Sequence, residues 1–129
     1  MADTVRVGIV GGGRSGTPLL KDFLTRGFIE VVGVADRDLN SPGMQLAREH
    51  NIFVTADADV LAAKGRDIDL IIEVSGDPSV KPMLKDAFIA QQNRETVILH
   101  DIVARLILSL VTDSSELVET FHPGDVGIG

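Results

Sequence analysis

Val5-Arg6-Val7-Gly8-Ile9-Val10-Gly11-Gly12-Gly13-Arg14-Ser15-Gly16 is the stretch from which the fold can be read. Its first half is short and β-branched and stops at three consecutive glycines, the pattern of a buried strand ending in a tight turn. Beyond it Leu19, Leu20, Phe23, Leu24 and Phe28 recur at three-to-four spacing, and Pro18 falls where a first-turn proline is tolerated. That predicts an amphipathic helix from Arg14 to Gly27. The glycines between strand and helix fit G-x-G-x-x-G, a weak pattern alone and a much stronger one in this setting. Gly11 would permit the turn, Gly13 would let a pyrophosphate approach the backbone, and Gly16 would let helix pack closely on strand. A helix N-terminus offers free N–H groups and a positive dipole end to that phosphate, and Arg14 and Ser15 are placed to add side-chain donors.

A dinucleotide site of this kind needs an acid about 20 residues further on, at the end of the second strand, to accept from the ribose hydroxyls of adenosine. The β-rich run Glu30–Ala35 ends at Asp36, 20 positions after Gly16. A lone Asp after a strand is usually a solvated turn residue; beside this strand, glycine turn and helix, the ribose role is favoured. The Asp36 carboxylate repels a 2′-phosphate and so points to NAD, whereas Arg37 could grip that phosphate and admit NADP.

The rest of the chain repeats strand and helix. Ser41-Pro42 opens a short helix to His50, Ile52–Thr55 is a brief strand, Asp57–Lys64 a helix, and Asp69–Val74 a strand with a near-continuous apolar run. Val80, Leu84, Ala87, Phe88 and Ala90 share a helical stripe between Pro78 and Asn93, with Asp77 as its N-cap and Pro78 at its first position. Glu95–Leu99 is the fifth strand. Asp101 can cap a last helix whose Val103, Leu106, Ile107 and Leu110 share a face. Parallel strands need crossovers and helices supply them, so the expected fold is α/β, a three-layer open parallel sheet. Residues 1–112 make up the nucleotide-binding domain, and 113–129 a helical extension or linker. In such a sheet the turn Ser75-Gly76-Asp77-Pro78 lies at the crevice edge, where Gly76 would let backbone approach a ligand and Ser75 offers a hydroxyl. Ordinary strand-to-helix capping accounts for the same residues.

Composition removes other classes. The chain has 129 residues, no cysteine and a net charge of −7, which excludes disulfides, thiol catalysis and Cys-based metal sites. An acidic chain without a basic stripe is not a general nucleic-acid binder. The apolar runs fall short of a membrane span and the N-terminus has no signal-peptide pattern, so a cytoplasmic protein is expected. His100-Asp101 resembles acid–base equipment, but no third orienting group accompanies it and Asp101 serves equally as a helix cap. His50 and His122 have no partners at metal-binding spacing. No catalytic residue and no metal site is therefore assigned.

Val5–Gly16, Ala35-Asp36-Arg37 and Ile71–Pro78 together resemble the nucleotide-binding half of the glucose–fructose oxidoreductase and inositol dehydrogenase family, and of homoserine and aspartate dehydrogenases. The resemblance covers roughly Val5–Leu110. It implies a Rossmann domain holding NAD(P), normally followed by a second, mostly β domain that carries substrate contacts. Where the sugar-type enzymes carry Glu-Lys-Pro after the fifth strand, with a catalytic lysine, this chain has Leu99-His100-Asp101 and no lysine after Lys85. The expected site is Gly11, Gly13, Arg14, Ser15, Gly16, Asp36, Arg37, Ser75 and Gly76, binding NAD or NADP. Three functions compete. The first is a sensing or regulatory module, with a helical Ile102–Phe121 segment passing the signal on. Another is an oxidoreductase completed by a fused domain or a second copy in a homodimer, and the last is a structural relic or a binder of another ligand such as coenzyme A or a plain nucleotide.

Overall fold

The computed structural model describes residues 3–125 and 127. Five parallel strands, β1 (Val5–Val10), β2 (Ile29–Ala35), β3 (Phe53–Thr55), β4 (Leu70–Glu73) and β5 (Val97–Leu99), lie in the order β3-β2-β1-β4-β5. The helices are α1 (Gly16–Phe23), α2 (Pro42–Glu49), α3 (Ala58–Ala62), α4 (Val80–Ala90) and α5 (Asp101–Val111). Side chains alternate across a strand. Val7 and Ile9 accordingly join Leu19, Leu20, Met44, Ala104 and Leu108 under α1, α2 and α5. Val10 and Ile71 join Leu61, Leu84 and Phe88 under α3 and α4. With both faces covered, the sheet is the middle of three layers, and apolar strands are what that burial demands. Each fully buried Ile or Leu contributes about 1.5–3 kcal/mol.

The order of strands reverses at β1, which pairs with β2 on one side and β4 on the other. Val10 stands opposite both Ala35 and Glu73, so three strands end level and open a crevice at their C-terminal ends. This is the topological switch point at which open α/β sheets bind ligands.

Several elements differ from expectation. The first helix begins at Gly16 and ends at Phe23, leaving Phe28 half exposed beyond it. α4 starts at Val80 with Ser79 in the cap position, because Asp77 spends its Oδ1 on the Ser79 amide (2.9 Å) and hydroxyl (2.7 Å) in the turn before. Likewise His100 occupies the cap position of α5, and Asp101 is its first helical residue, with no side-chain cap bond. That helix buries Asp101, Ala104 and Leu108 and turns Leu106 and Leu110 outward, so the face assigned from spacing is rotated. Among the described residues no helix follows Val111; the chain instead folds back over the sheet ends. The expected helical continuation through Phe121 is thus absent, and Asp113 in the left-handed region, with the Ser114 amide on the Ser109 carbonyl (2.8 Å), is what stops it.

Arg6 at the start of β1 donates side-chain and backbone bonds to Asp69 just before β4. Those bonds hold the Asp69 carboxyl below its ordinary 3.8. A carboxyl lowered by folding adds stability above its unfolded pKa, and that increment is lost as pH falls through the folded value. The pair is about two-fifths exposed, so the increment is small. Denaturation midpoints at about pH 5 and about pH 2.5 are expected to converge on acidification for wild type and Asp69→Asn, wild type being ahead only at the higher pH.

Candidate functional site

At the end of β1 the Gly11 amide bonds the Ala35 carbonyl (2.8 Å), and the chain then turns with Gly11 at φ +110°. A Cβ on Gly11 would lie 2.9 Å from the Ser75 amide nitrogen. At Gly16 a Cβ would lie 1.7 Å from the Gly11 carbonyl oxygen, so the first turn of α1 rests directly on the end of β1. Gly12 is held from the other side: its carbonyl accepts the Gly43 amide of α2 (2.8 Å) and the Thr17 hydroxyl (2.9 Å). The α2 contact was not visible in sequence, though Ser41-Pro42-Gly43 carries its signal, a small residue at a helix start. Gly13 is different, since a Cβ there would meet nothing within 4 Å. Its backbone faces open space.

Among the described residues, the amides of Gly13, Arg14, Ser15 and Gly16 have no acceptor, the ordinary state of a helix start. Such amides and the helix dipole make an anion site. The Asp36 carboxylate accepts the Gly12 amide at 2.7 Å through Oδ2 and the Asp38 amide at 2.8 Å through Oδ1. These bonds fix its orientation at the crevice edge and leave further lone pairs for a ligand.

A cavity of about 720 Å³ occupies the crevice, within the range of small-molecule and cofactor sites. Gly11, Gly13, Arg14, Asp36, Arg37, Ser75 and Gly76 all line it. Ser15 does not: it is buried, and only its amide is placed at the helix start. Gly16 lies beneath the turn. Arg37 bridges to Asp77 at 3.0 Å, linking the end of β2 to the turn after β4. The Ser79 hydroxyl and amide, with a smaller contribution from Arg37, hold the Asp77 carboxyl below the usual range.

Sequence reasoning missed the charged centre beside this cavity. Glu73, the last residue of β4, is fully buried, as is Lys81 in the first turn of α4. The Lys81 ammonium donates to Glu73 and to Asp125, the latter at 2.7 Å, while Glu73 also accepts the Ser75 hydroxyl and amide. Desolvation pulls the Lys81 ammonium down, but the bonds to Asp125 and Glu73 outweigh it and hold the group above the ordinary lysine value. The available signal was a Glu ending an apolar strand with a Lys eight residues later, since a buried charge requires a partner.

His100 and Asp101 do not act on each other. His100 Nδ1 lies 4.0 Å from Asp125 without a hydrogen bond, whereas Asp101 accepts the Thr120 hydroxyl at 2.7 Å. Phe121 and His122, from the returning chain, also line the cavity, and Arg14 stacks over the Phe121 ring at 5.2 Å. Among the described residues no helix is long and apolar enough to cross a membrane.

A doubly wound sheet with a glycine turn, a free helix start and an acid after the second strand defines a Rossmann-type fold. No family profile and no curated protein sequence matches the chain. Solved structures do. Scyllo-inositol dehydrogenase from Lactobacillus casei superposes with TM-score 0.59 at 19% identity over 88% of this chain and 34% of its own. Myo-inositol dehydrogenase from Corynebacterium glutamicum gives 0.58 and 22% over 85% of this chain and 33% of its own. GenD2 from gentamicin A biosynthesis, solved with NAD, gives 0.52 and 18% over 78% of this chain and 35% of its own. The chain therefore has the fold of the nucleotide-binding part of the glucose–fructose oxidoreductase and inositol dehydrogenase family, and spans about a third of these enzymes' length.

Proposed function

We propose that this chain is an NAD(P)(H)-binding domain that works as a sensing or regulatory module of a larger protein, cytoplasmic, alone or as a homodimer. The observation that carries the binding is Gly13. Gly11 and Gly16, the other two glycines of the motif, are required by neighbours within the fold, whereas the space at Gly13 is open, and a pyrophosphate resting on the free amides from Gly13 to Gly16 would use it. Asp36 would accept from the adenosine ribose, and Arg37, Ser75 and Gly76 would line the remaining length. NAD is preferred to NADP in this reading because the Asp36 carboxylate opposes a 2′-phosphate.

The regulatory role is supported by what surrounds the site. His100 and Asp101 form no acid–base pair, and the lysine beside the end of β4 is sealed between two carboxylates. A second reading, a fragment of an NAD(P)-dependent oxidoreductase whose substrate site another domain or subunit completes, draws on the inositol dehydrogenases, of which this chain spans a third. There the bound nicotinamide would supply hydride transfer, while these residues would supply only binding and orientation.

Calorimetric titration with NAD, NADH, NADP and NADPH tests the binding. Gly13→Val is expected to weaken the dinucleotide by about a hundredfold or more, roughly 2.7 kcal/mol, with the thermal transition unchanged. Unaltered affinity in that variant would remove the glycine turn from the site. Turnover of a hydroxy, amino or sugar substrate by the chain with its neighbouring domains would decide for the oxidoreductase.

A further inference from the structure

A doubly wound sheet holds two nucleotides in two halves, the first on β1 to β3 and the second on β4, β5 and the segment after β5. The cavity covers the first and, of the second, only the end of β4 and the turn into α4. Ala56 and Asp57 after β3, Asp36, the glycine turn and the turn Ser75–Asp77 line it together with Phe121 and His122. Leu99, His100 and Asp101 at the end of β5 have no part in its lining.

Residues 117–125 are what lies over the second half. The Val118 amide bonds the Ser109 hydroxyl at 2.9 Å, and its carbonyl accepts Arg105 Nε at 2.8 Å. Thr120 donates to Asp101. The His122 ring packs against Gly76, where an added Cβ would lie 2.3 Å from Nδ1, and the Gly76 backbone is then shielded on the side where a second nucleotide would approach. Asp125 finally enters the buried centre at the end of β4, its side chain 4% exposed and its carboxylate on Lys81.

Resting on the dinucleotide reading above, we propose that residues 117–125 form a strap occupying the nicotinamide half of the site, latched by Asp125 on Lys81, so that the resting protein accepts an adenosine diphosphate moiety and admits a whole dinucleotide only when the strap leaves. Nicotinamide nucleotide and strap then compete for one space. The affinity for NAD is lowered by the fraction of molecules in which the strap is open, whereas ADP, confined to the first half, carries no such cost. Strap release is also the event a partner or adjoining domain could read.

The test compares ADP and NAD by calorimetry on the full chain, in wild type, Asp125→Asn and His122→Ala. Wild type is expected to bind ADP at least as tightly as NAD. Both substitutions should raise NAD affinity by about tenfold, and Asp125→Asn, which lies outside the cavity lining, should leave ADP within about twofold, which separates strap opening from any general change in the site. Hydrogen exchange on wild type supplies a readout free of mutation. NAD should speed exchange at Val118 and His122, and ADP should leave it unchanged. An NAD-to-ADP ratio that neither variant moves, or exchange that NAD leaves unaltered or slows, overturns the strap while the dinucleotide reading stands. Failure of both ligands to bind any form overturns the reading itself, and the strap's role with it.

Discussion

Lys81→Met is expected to cost about 3–5 kcal/mol of folding stability, which for a domain of this size approaches half or more of the total. The reason is the asymmetry of a buried charge cluster. Glu73 and Asp125 are almost entirely out of water, and one ammonium compensates both. Removing it leaves two carboxylates that must either ionise unpaired or take up protons to stay buried. Replacing the whole set is another matter. Glu73→Gln and Asp125→Asn added to Lys81→Met should recover most of the loss, because a neutral, well-packed cluster carries no desolvation penalty for charge. The pH dependence has a definite sign. A lysine whose pKa is raised by folding contributes fully below its unfolded value of 10.5, and the contribution is lost as pH rises through the folded value. Urea denaturation across the alkaline range should show that limb in wild type and not in Lys81→Met. A loss below about 1 kcal/mol would mean that the cluster is solvated and that Asp125 is no latch.

This cluster also marks the boundary of what the sequence made legible. The strand–glycine–helix unit could be read because its constraints are local: the β-branched run, the turn and the apolar spacing all fall within Val5–Leu24. Asp36 was within reach because one connection of ordinary length returns β2 beside β1, and the motif specifies the distance. Lys81 and Asp125 are 44 residues apart and meet only because α4 and the returning chain converge at the end of β4. No periodicity encodes that meeting. The course of residues 112–125 escaped the sequence for a similar reason. Their anchors, Ser109, Asp101, Gly76 and Lys81, lie on three different segments, and none of the contacts is a backbone ladder that a sequence pattern would announce. The α5 face differs from the spacing-based one because Leu106 and Leu110 are as apolar as the residues that pack. Spacing alone cannot choose between two stripes on a helix with apolar residues around most of its circumference.

The second and third glycines of the motif allow fold and ligand to be separated. Gly16→Ala is expected to destabilise the domain by about 3 kcal/mol, since its Cβ would meet the Gly11 carbonyl at 1.7 Å and neither partner can yield without moving α1 off β1. Rigid backbone on both sides makes this costlier than overpacking against a flexible side chain. Gly13→Ala faces no such obstacle. With nothing within 4 Å of its Cβ, stability should stay within about 0.5 kcal/mol of wild type, or rise slightly as the unfolded chain loses freedom. Its effect should appear on the ligand. A methyl group in the open space above the free amides stands where a phosphate oxygen must come, and the loss in nucleotide affinity should reach about tenfold, or about 1.4 kcal/mol. Thermal melts of the two variants with and without ADP give both quantities. Gly16→Ala should melt low, and Gly13→Ala should melt like wild type without ligand and gain less from it. Were Gly13→Ala to melt as low as Gly16→Ala, Gly13 would be there for the backbone, and its open space would not belong to a phosphate.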